Sequence, residues 1–196
     1  MQAPLIHPLW LRAGHWLNAI AVLVLIGSGW RIYNATAFLD FSFPASITLG
    51  GWLGGALQWH FAAMWVLGFN GLAYLALNVM SGRLKTKFWP LSASGFAADA
   101  LAALKGRLTH ADARQYNQVQ RLAYLFVMVD SIVLVLSGLV LWKSVQFPVL
   151  RDLMGGYEGA RLTHFFAMAL LTGFIAVHLL MVALVPRTLV AMVRGH

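Results

Sequence analysis

Four histidines, His15, His60, His164 and His178, are the residues best placed to do chemistry in this chain. Each falls within a long apolar stretch, where an ionisable side chain is costly and usually functional. A neutral imidazole offers one ring nitrogen to a metal while the other stays protonated. Fourteen residues separate His164 from His178. In a helix that is a rise of about 21 Å and a rotation only about 40° short of four full turns. Both rings therefore leave one helix face at opposite depths. His15 opens the first apolar stretch and His60 opens the second. If successive stretches cross a membrane in alternate directions, His60 is level with His164, and His15 is level with His178. Two imidazoles facing each other across a bundle suit axial ligation of haem iron. Zinc is served poorly, because a structural zinc site wants four ligands around one ion.

The chain has no cysteine. That excludes thiolate metal sites, iron–sulfur clusters and covalently attached c-type haem. The expected cofactors are two non-covalent b haems, with His15 and His178 on one iron and His60 and His164 on the other. Gly29 lies fourteen residues beyond His15, and Gly71 eleven beyond His60. Gly29 falls on nearly the face of His15 at the depth of the other pair, and Gly71 about three turns beyond His60; a glycine there lets a porphyrin approach the backbone. The bland alternatives are four separate polar contacts between helices and ordinary close helix packing. No residue is expected to be catalytic in its own right.

The elements that must hold these side chains follow from composition. Of 196 residues, 60% are hydrophobic and 10% charged, against roughly a quarter charged in a soluble domain. Disorder is excluded by the same figures. Four stretches, at about 14–33, 57–79, 122–142 and 162–185, are long enough to cross a bilayer. Trp10, Trp16, Trp30, Trp52, Trp59 and Trp142 mark their edges as an interfacial belt; Trp65 lies deeper and reads as packing. Ala35-Thr36-Ala37 has the form of a signal cleavage site. The length of the preceding stretch, Arg31 and His15 mark it instead as a retained helix. The expected fold is a single all-α integral-membrane domain over 1–196, a four-transmembrane-helix bundle enclosing two haems.

The net charge of +8 is read through the excess of Lys and Arg on cytoplasmic loops, not as a nucleic-acid site. Arg12, Arg83, Lys85, Lys87, Lys105, Arg107, Arg114, Arg121, Arg187 and Arg194 fall on one side, and Arg31, Lys143, Arg151 and Arg161 on the other. This asymmetry places both termini and the 80–121 loop in the cytoplasm of a bacterial inner membrane. Within that loop, 94–108 reads as a short interfacial amphipathic helix. The opposite loop, 34–56, reads as irregular, and no internal repeat stands out.

Gly14-His15-Trp16-Leu17-Asn18, Trp59-His60, and His164 with His178 resemble the prokaryotic cytochrome b561 family. Its relatives are the membrane cytochrome b subunits of hydrogenases and formate dehydrogenases. The resemblance covers essentially the whole chain. It implies respiratory-chain electron transport through two haems between a partner redox protein and the quinone pool. Tyr116-Asn117-Gln118-Val119-Gln120-Arg121 is similar to the Tyr-Asn-x-x-Gln-Lys/Arg segment of the formate dehydrogenase subunits, in which the Asn lies beside a quinone. The resemblance implies that role for Asn117; capping of the third span is its competing role.

Three further readings concern polar groups. Asp130 is the one carboxylate inside the expected spans, and it is either part of a proton path or a clasp between helices. Arg161, one turn before His164, is a candidate partner for a haem propionate or a surface anchor. Asn18, Asn70 and Asn78 are expected to bond between helices. The expected function is a di-haem membrane cytochrome b that is the electron-transfer subunit of an oxidoreductase. The alternatives are a stand-alone superoxide:quinone oxidoreductase and, in another class, a haem-free scaffold or transporter.

Overall fold

A computed structural model describes residues 7–82, 91–105 and 117–195. Among them all regular structure is helical: α1 (Leu9–Ala35), α2 (Leu53–Met80), α3 (Ala93–Leu104), α4 (Gln118–Trp142), α5 (Pro148–Leu153), α6 (Gly156–Leu184) and α7 (Arg187–Arg194), with a 3-10 turn at Ala45–Ile47. Helices α1, α2, α4 and α6 are long and apolar enough to cross a membrane. They are the four expected spans, each begun four to six residues earlier than hydropathy alone implied. The fold is all-α and integral to the membrane. Ile20, Leu23 and Leu170 are more than half exposed. Such a surface would aggregate in water, whereas hydrocarbon accepts it without penalty.

Contacts divide the chain into two compact units, Met1–Gly82 with Val190–His196, and Arg83–Leu189. In the first, α1 and α2 form a hairpin. Asn70 Nδ2 on α2 donates to Gly14 O at 2.8 Å and to Asn18 Oδ1 at 2.7 Å, the expected interhelical bond. Asn78 behaves differently: its amide turns back on its own helix, donating to Tyr74 O at 2.8 Å. Trp65 does pack, stacking on Phe69, but on a half-exposed face of α2. Arg12 donates to Val193 O near the C-terminus of α7, where a cation meets unpaired carbonyls.

The connection between α1 and α2 is more ordered than its composition suggested. Asn34 and Phe43 exchange two hydrogen bonds of 2.8 Å each, and Trp30 stacks on Phe43. Leu49 N–H donates to Gly27 O at 2.9 Å. Gly54 and Gly55 belong to α2, not to the loop. At Gly55 a Cβ would fall 2.3 Å from Gly50 O, so only glycine lets the loop close onto the helix start.

In the second unit α4 packs against α6. Asn117 is the N-cap of α4. Gln118 N–H, also in the first turn, donates to Asp99 Oδ2 of α3 at 2.8 Å. An anion there satisfies an orphan donor and complements the helix dipole. The expected amphipathic helix is therefore α3, and it docks on the start of α4. Gly155, with φ of 79°, sets the left-handed turn before α6, and Pro186 follows its end, unable to continue it. Arg83, Lys85, Lys87, Arg107, Arg114, Tyr116, His110 and His196 lie outside the described residues.

Candidate histidine sites within the membrane helices

In the first unit Ser28 sits one helical turn after Val24 on α1. Its hydroxyl lies 2.6 Å from Val24 O and 3.2 Å from Leu25 O. Ser28 Oγ also lies 3.0 Å from His60 Nδ1 on α2. A serine has one hydroxyl hydrogen, and the short contact to Val24 O takes it. The serine oxygen is then placed to accept from His60 Nδ1–H, and the same ring also has a backbone hydrogen bond to Leu25. With the proton on Nδ1, Nε2 is the lone-pair nitrogen, the state a metal requires. Gly29 lies beside the same ring: a Cβ there would meet His60 Cε1 at 3.6 Å.

The second unit repeats this arrangement. Ser137 Oγ lies 2.6 Å from Val133 O and 3.3 Å from Leu134 O, and 2.9 Å from His164 Nδ1. A Cβ on Gly138 would meet His164 Cε1 at 3.3 Å. The sequences correspond. Val24-Leu25-Ile26-Gly27-Ser28-Gly29 matches Val133-Leu134-Val135-Leu136-Ser137-Gly138, and His60-Phe61-Ala62-Ala63-Met64 matches His164-Phe165-Phe166-Ala167-Met168. Ala63 and Ala167 are both buried. The chain does contain an internal repeat. It escaped the sequence reading because the shared residues are ordinary apolar ones, and only the Ser–His contact shows that they form a site.

The other two histidines each lie far along a helix from these, within their own unit. His15 is thirteen residues before Ser28 on the unbroken α1, about 20 Å along the axis. Its neighbour Gly14 is fastened to Asn70. His178 is fourteen residues beyond His164 on the unbroken α6, and its ring stacks on Phe174 at 6.0 Å and 12°. Phe174 in turn approaches Phe126 of α4. Each unit thus carries two histidines about 20 Å apart in depth, as the spacing predicted. Among the described residues no heavy atom comes within 4 Å of a Cβ placed on Gly71, so that face of α2 has room for a bulky group. No three His, Asp or Glu side chains converge among the described residues. The donors on offer are single imidazoles. Imidazole rings with Nδ1 engaged, glycines beside them and open helix faces fit b haem.

The remaining candidates have other partners in view. Asn117 caps α4: its side chain accepts from Gln120 N–H, and Gln120 accepts from Asn117 N–H. Arg161 pairs with Glu158 at 3.2 Å, one turn earlier on α6. Asp130 is buried on α4, and its Oδ2 has no hydrogen-bond partner among the described residues. It opens on a cavity of about 340 Å³ between α4 and α6, walled by Phe126, Val133, Thr163, Phe166 and Leu170. Hydropathy could locate Asp99 in a loop but not reveal its contact with α4, because that contact joins residues far apart in sequence.

The family model of prokaryotic cytochrome b561 matches residues 6–195. The chain is 64% identical over 191 residues to the putative protein-methionine-sulfoxide reductase subunit YedZ1 of Azospira oryzae, covering 97% of this chain and 96% of that protein. No solved structure matches.

Proposed function

The chain belongs to the prokaryotic cytochrome b561 family, and from that premise we propose a di-haem membrane cytochrome b carrying electrons between the quinone pool and a redox protein subunit. Membership itself makes it a b-type membrane cytochrome of electron transport. The observation that carries the finer reading is the Ser–His contact repeated in both units. It supports Nε2 of His60 and of His164 as iron ligands. His15 and His178 form the second pair, at the cytoplasmic level. Each proposed pair draws one ligand from each unit.

Haem iron, when bound, supplies one-electron transfer. The protein's part is to hold the imidazoles neutral and oriented, and to keep two acceptor levels about 20 Å apart along α6. Asn117, beside the basic cytoplasmic loop, offers an amide donor to a quinone carbonyl. Arg161 offers a guanidinium to a propionate on the opposite side.

The partner is read from the relative. Its name makes it a subunit of a methionine sulfoxide reductase, and we assign this chain the same kind of partner. Reducing a sulfoxide to a thioether takes two electrons and two protons and releases water. A quinol oxidised to quinone gives two electrons and two protons, so the half-reactions balance. In this reading a quinol near Asn117 would be the donor and a catalytic subunit on the far side the acceptor, with His178 and His164 of α6 among the residues that would hold the haems between them.

The purified protein tests this. Its reduced-minus-oxidised spectrum and haem assay are expected to give two b haems per chain, reducible by a quinol analogue. A single haem would overturn the pairing. A haem-containing protein that a quinol fails to reduce would overturn the quinone link. Retention of a sulfoxide-reducing subunit on an affinity-tagged copy is the expected sign of the partner. Its absence, with full superoxide:quinone activity, would favour the stand-alone enzyme.

A further inference from the structure

We infer that Ser28 and Ser137 are a matched pair of positioning residues that set the reduction potential of one haem of the two. The inference rests on the assignment of His60 and His164 to that haem.

Each serine does two things at once. Its hydroxyl hydrogen is held by a carbonyl one turn earlier, at 2.6 Å in both units. The oxygen is thereby pinned as an acceptor, at 3.0 Å from His60 Nδ1 and 2.9 Å from His164 Nδ1. A backbone-anchored hydroxyl cannot turn away, so it fixes the tautomer and the plane of each ring. An acceptor on Nδ1–H also raises the electron density on Nε2, as outer-shell acceptors do for metal-bound histidine. A more basic ligand favours the oxidised iron. Both serines therefore push one potential in the same direction, downward.

The device is confined to one level. Ser28 and Ser137 are each the twentieth residue of their helix, the matching register of the repeat. At the register of His15 in the second copy stands Tyr124, so the duplication does not supply a second histidine there. Ser28 is also about 20 Å along α1 from His15, beyond direct reach of the cytoplasmic pair. The consequence is a fixed difference in potential between the two levels, built from the protein side of one site.

The test uses the detergent-purified haem protein, with Ser28→Ala, Ser137→Ala and the double variant. Haem content is read by a pyridine haemochrome assay and the two midpoint potentials by spectroscopic redox titration. The expected result is two haems retained, with one potential raised and the other unmoved. Both single variants should move the same component, and the double variant should move it by about the sum. Ser28→Thr and Ser137→Thr should restore the original value, because a threonine hydroxyl can make both bonds. Where an alanine variant loses haem, the matching Ser→Cys protein is titrated instead. Its weak acceptor sulfur should still give an upward shift. Unmoved potentials in haem-replete variants would overturn the inference, and so would shifts of different haems by the two serines. Failure of the underlying assignment looks different: His60→Ala and His164→Ala would then remove different haems.

Discussion

Asn117 Oδ1 accepts the backbone N–H of Gln120 at 2.7 Å, while Gln120 Oε1 accepts the backbone N–H of Asn117 at 3.1 Å. This capping box uses only the carbonyl half of the asparagine amide. Capping and quinone binding, which compete in the sequence, are compatible in the structure, because the NH₂ group is the donor a quinone needs. Substitution separates them. Asn117→Ala loses the cap and about 1 kcal/mol of stability. Asn117→Asp keeps a good cap and loses the donor. The aspartate variant should match wild-type stability and haem content, yet its haem should be oxidised more slowly by a soluble quinone analogue. Unchanged kinetics and unchanged inhibitor sensitivity would remove Asn117 from the site.

The two copies of the histidine site differ in tightness, and this gives an asymmetric expectation. A Cβ on Gly29 would sit 3.6 Å from the His60 ring, an ordinary contact, whereas on Gly138 it would sit 3.3 Å from the His164 ring. If two haems are bound as proposed, Gly29→Ala should therefore keep both with little spectral change. Gly138→Ala should shift the spectrum of one haem, and Gly138→Leu should lower the haem:protein ratio from two to one. Equal effects of the two alanines would show that these glycines do not crowd the rings.

Asn70 holds α2 to α1 through two acceptors, and Asn18 supplies only one of them. Interhelical bonds of this kind are worth about 0.6–2 kcal/mol each. Asn70→Ala should thus lower the thermal unfolding midpoint in detergent more than Asn18→Ala does. The reverse order would mean that Asn18 has a larger role than accepting from Asn70.

Four spans, two histidine levels and the separation along α6 were all legible in the sequence, because each depends on periodicity within one helix. Partners across helices were not. Nothing local to Ser28 distinguishes it from any intramembrane serine that bonds its own i−4 carbonyl. Its role appears only when His60 is brought beside it. Asn78 was misjudged for the same reason: an asparagine in a span must satisfy its amide, but composition does not say whether its own helix or a neighbour does so. Gly54 and Gly55 fell within the 34–56 stretch read as an irregular loop. Here the close approach of Gly50 O demands glycine at the first turn of α2.

The distribution of Lys and Arg also fixes an expected orientation. Of the cations assigned to the cytoplasm, Arg12 sits on α1 against the end of α7, and Arg121 lies in the first turn of α4. A periplasm-active reporter fused after His196 should be silent, and one inserted after Ser46, in the loop between α1 and α2, should be active. The opposite pattern would invert the scheme and put the His60 end of α2 on the cytoplasmic side.

Asp130 tests whether an intramembrane acid serves structure or transport. It is 6% exposed, and Oδ2 has no hydrogen-bond partner among the described residues. A clasp between helices would show its oxygens bonded across the interface. An unsatisfied buried group instead costs about 1–3 kcal/mol, and a site retained at that cost suggests use. Asp130 faces the α4–α6 cavity, and intramembrane acids often mark proton routes. The two roles predict opposite signs for one variant. As part of a proton route, Asp130→Leu should raise the thermal midpoint, leave both haem potentials unchanged and slow electron transfer from a quinol analogue. As a clasp, Asp130→Leu should lower the midpoint and leave the quinol-linked rate unchanged per folded protein. Measuring stability and rate on the same preparation decides between them, and the lack of a partner for Oδ2 among the described residues favours the first.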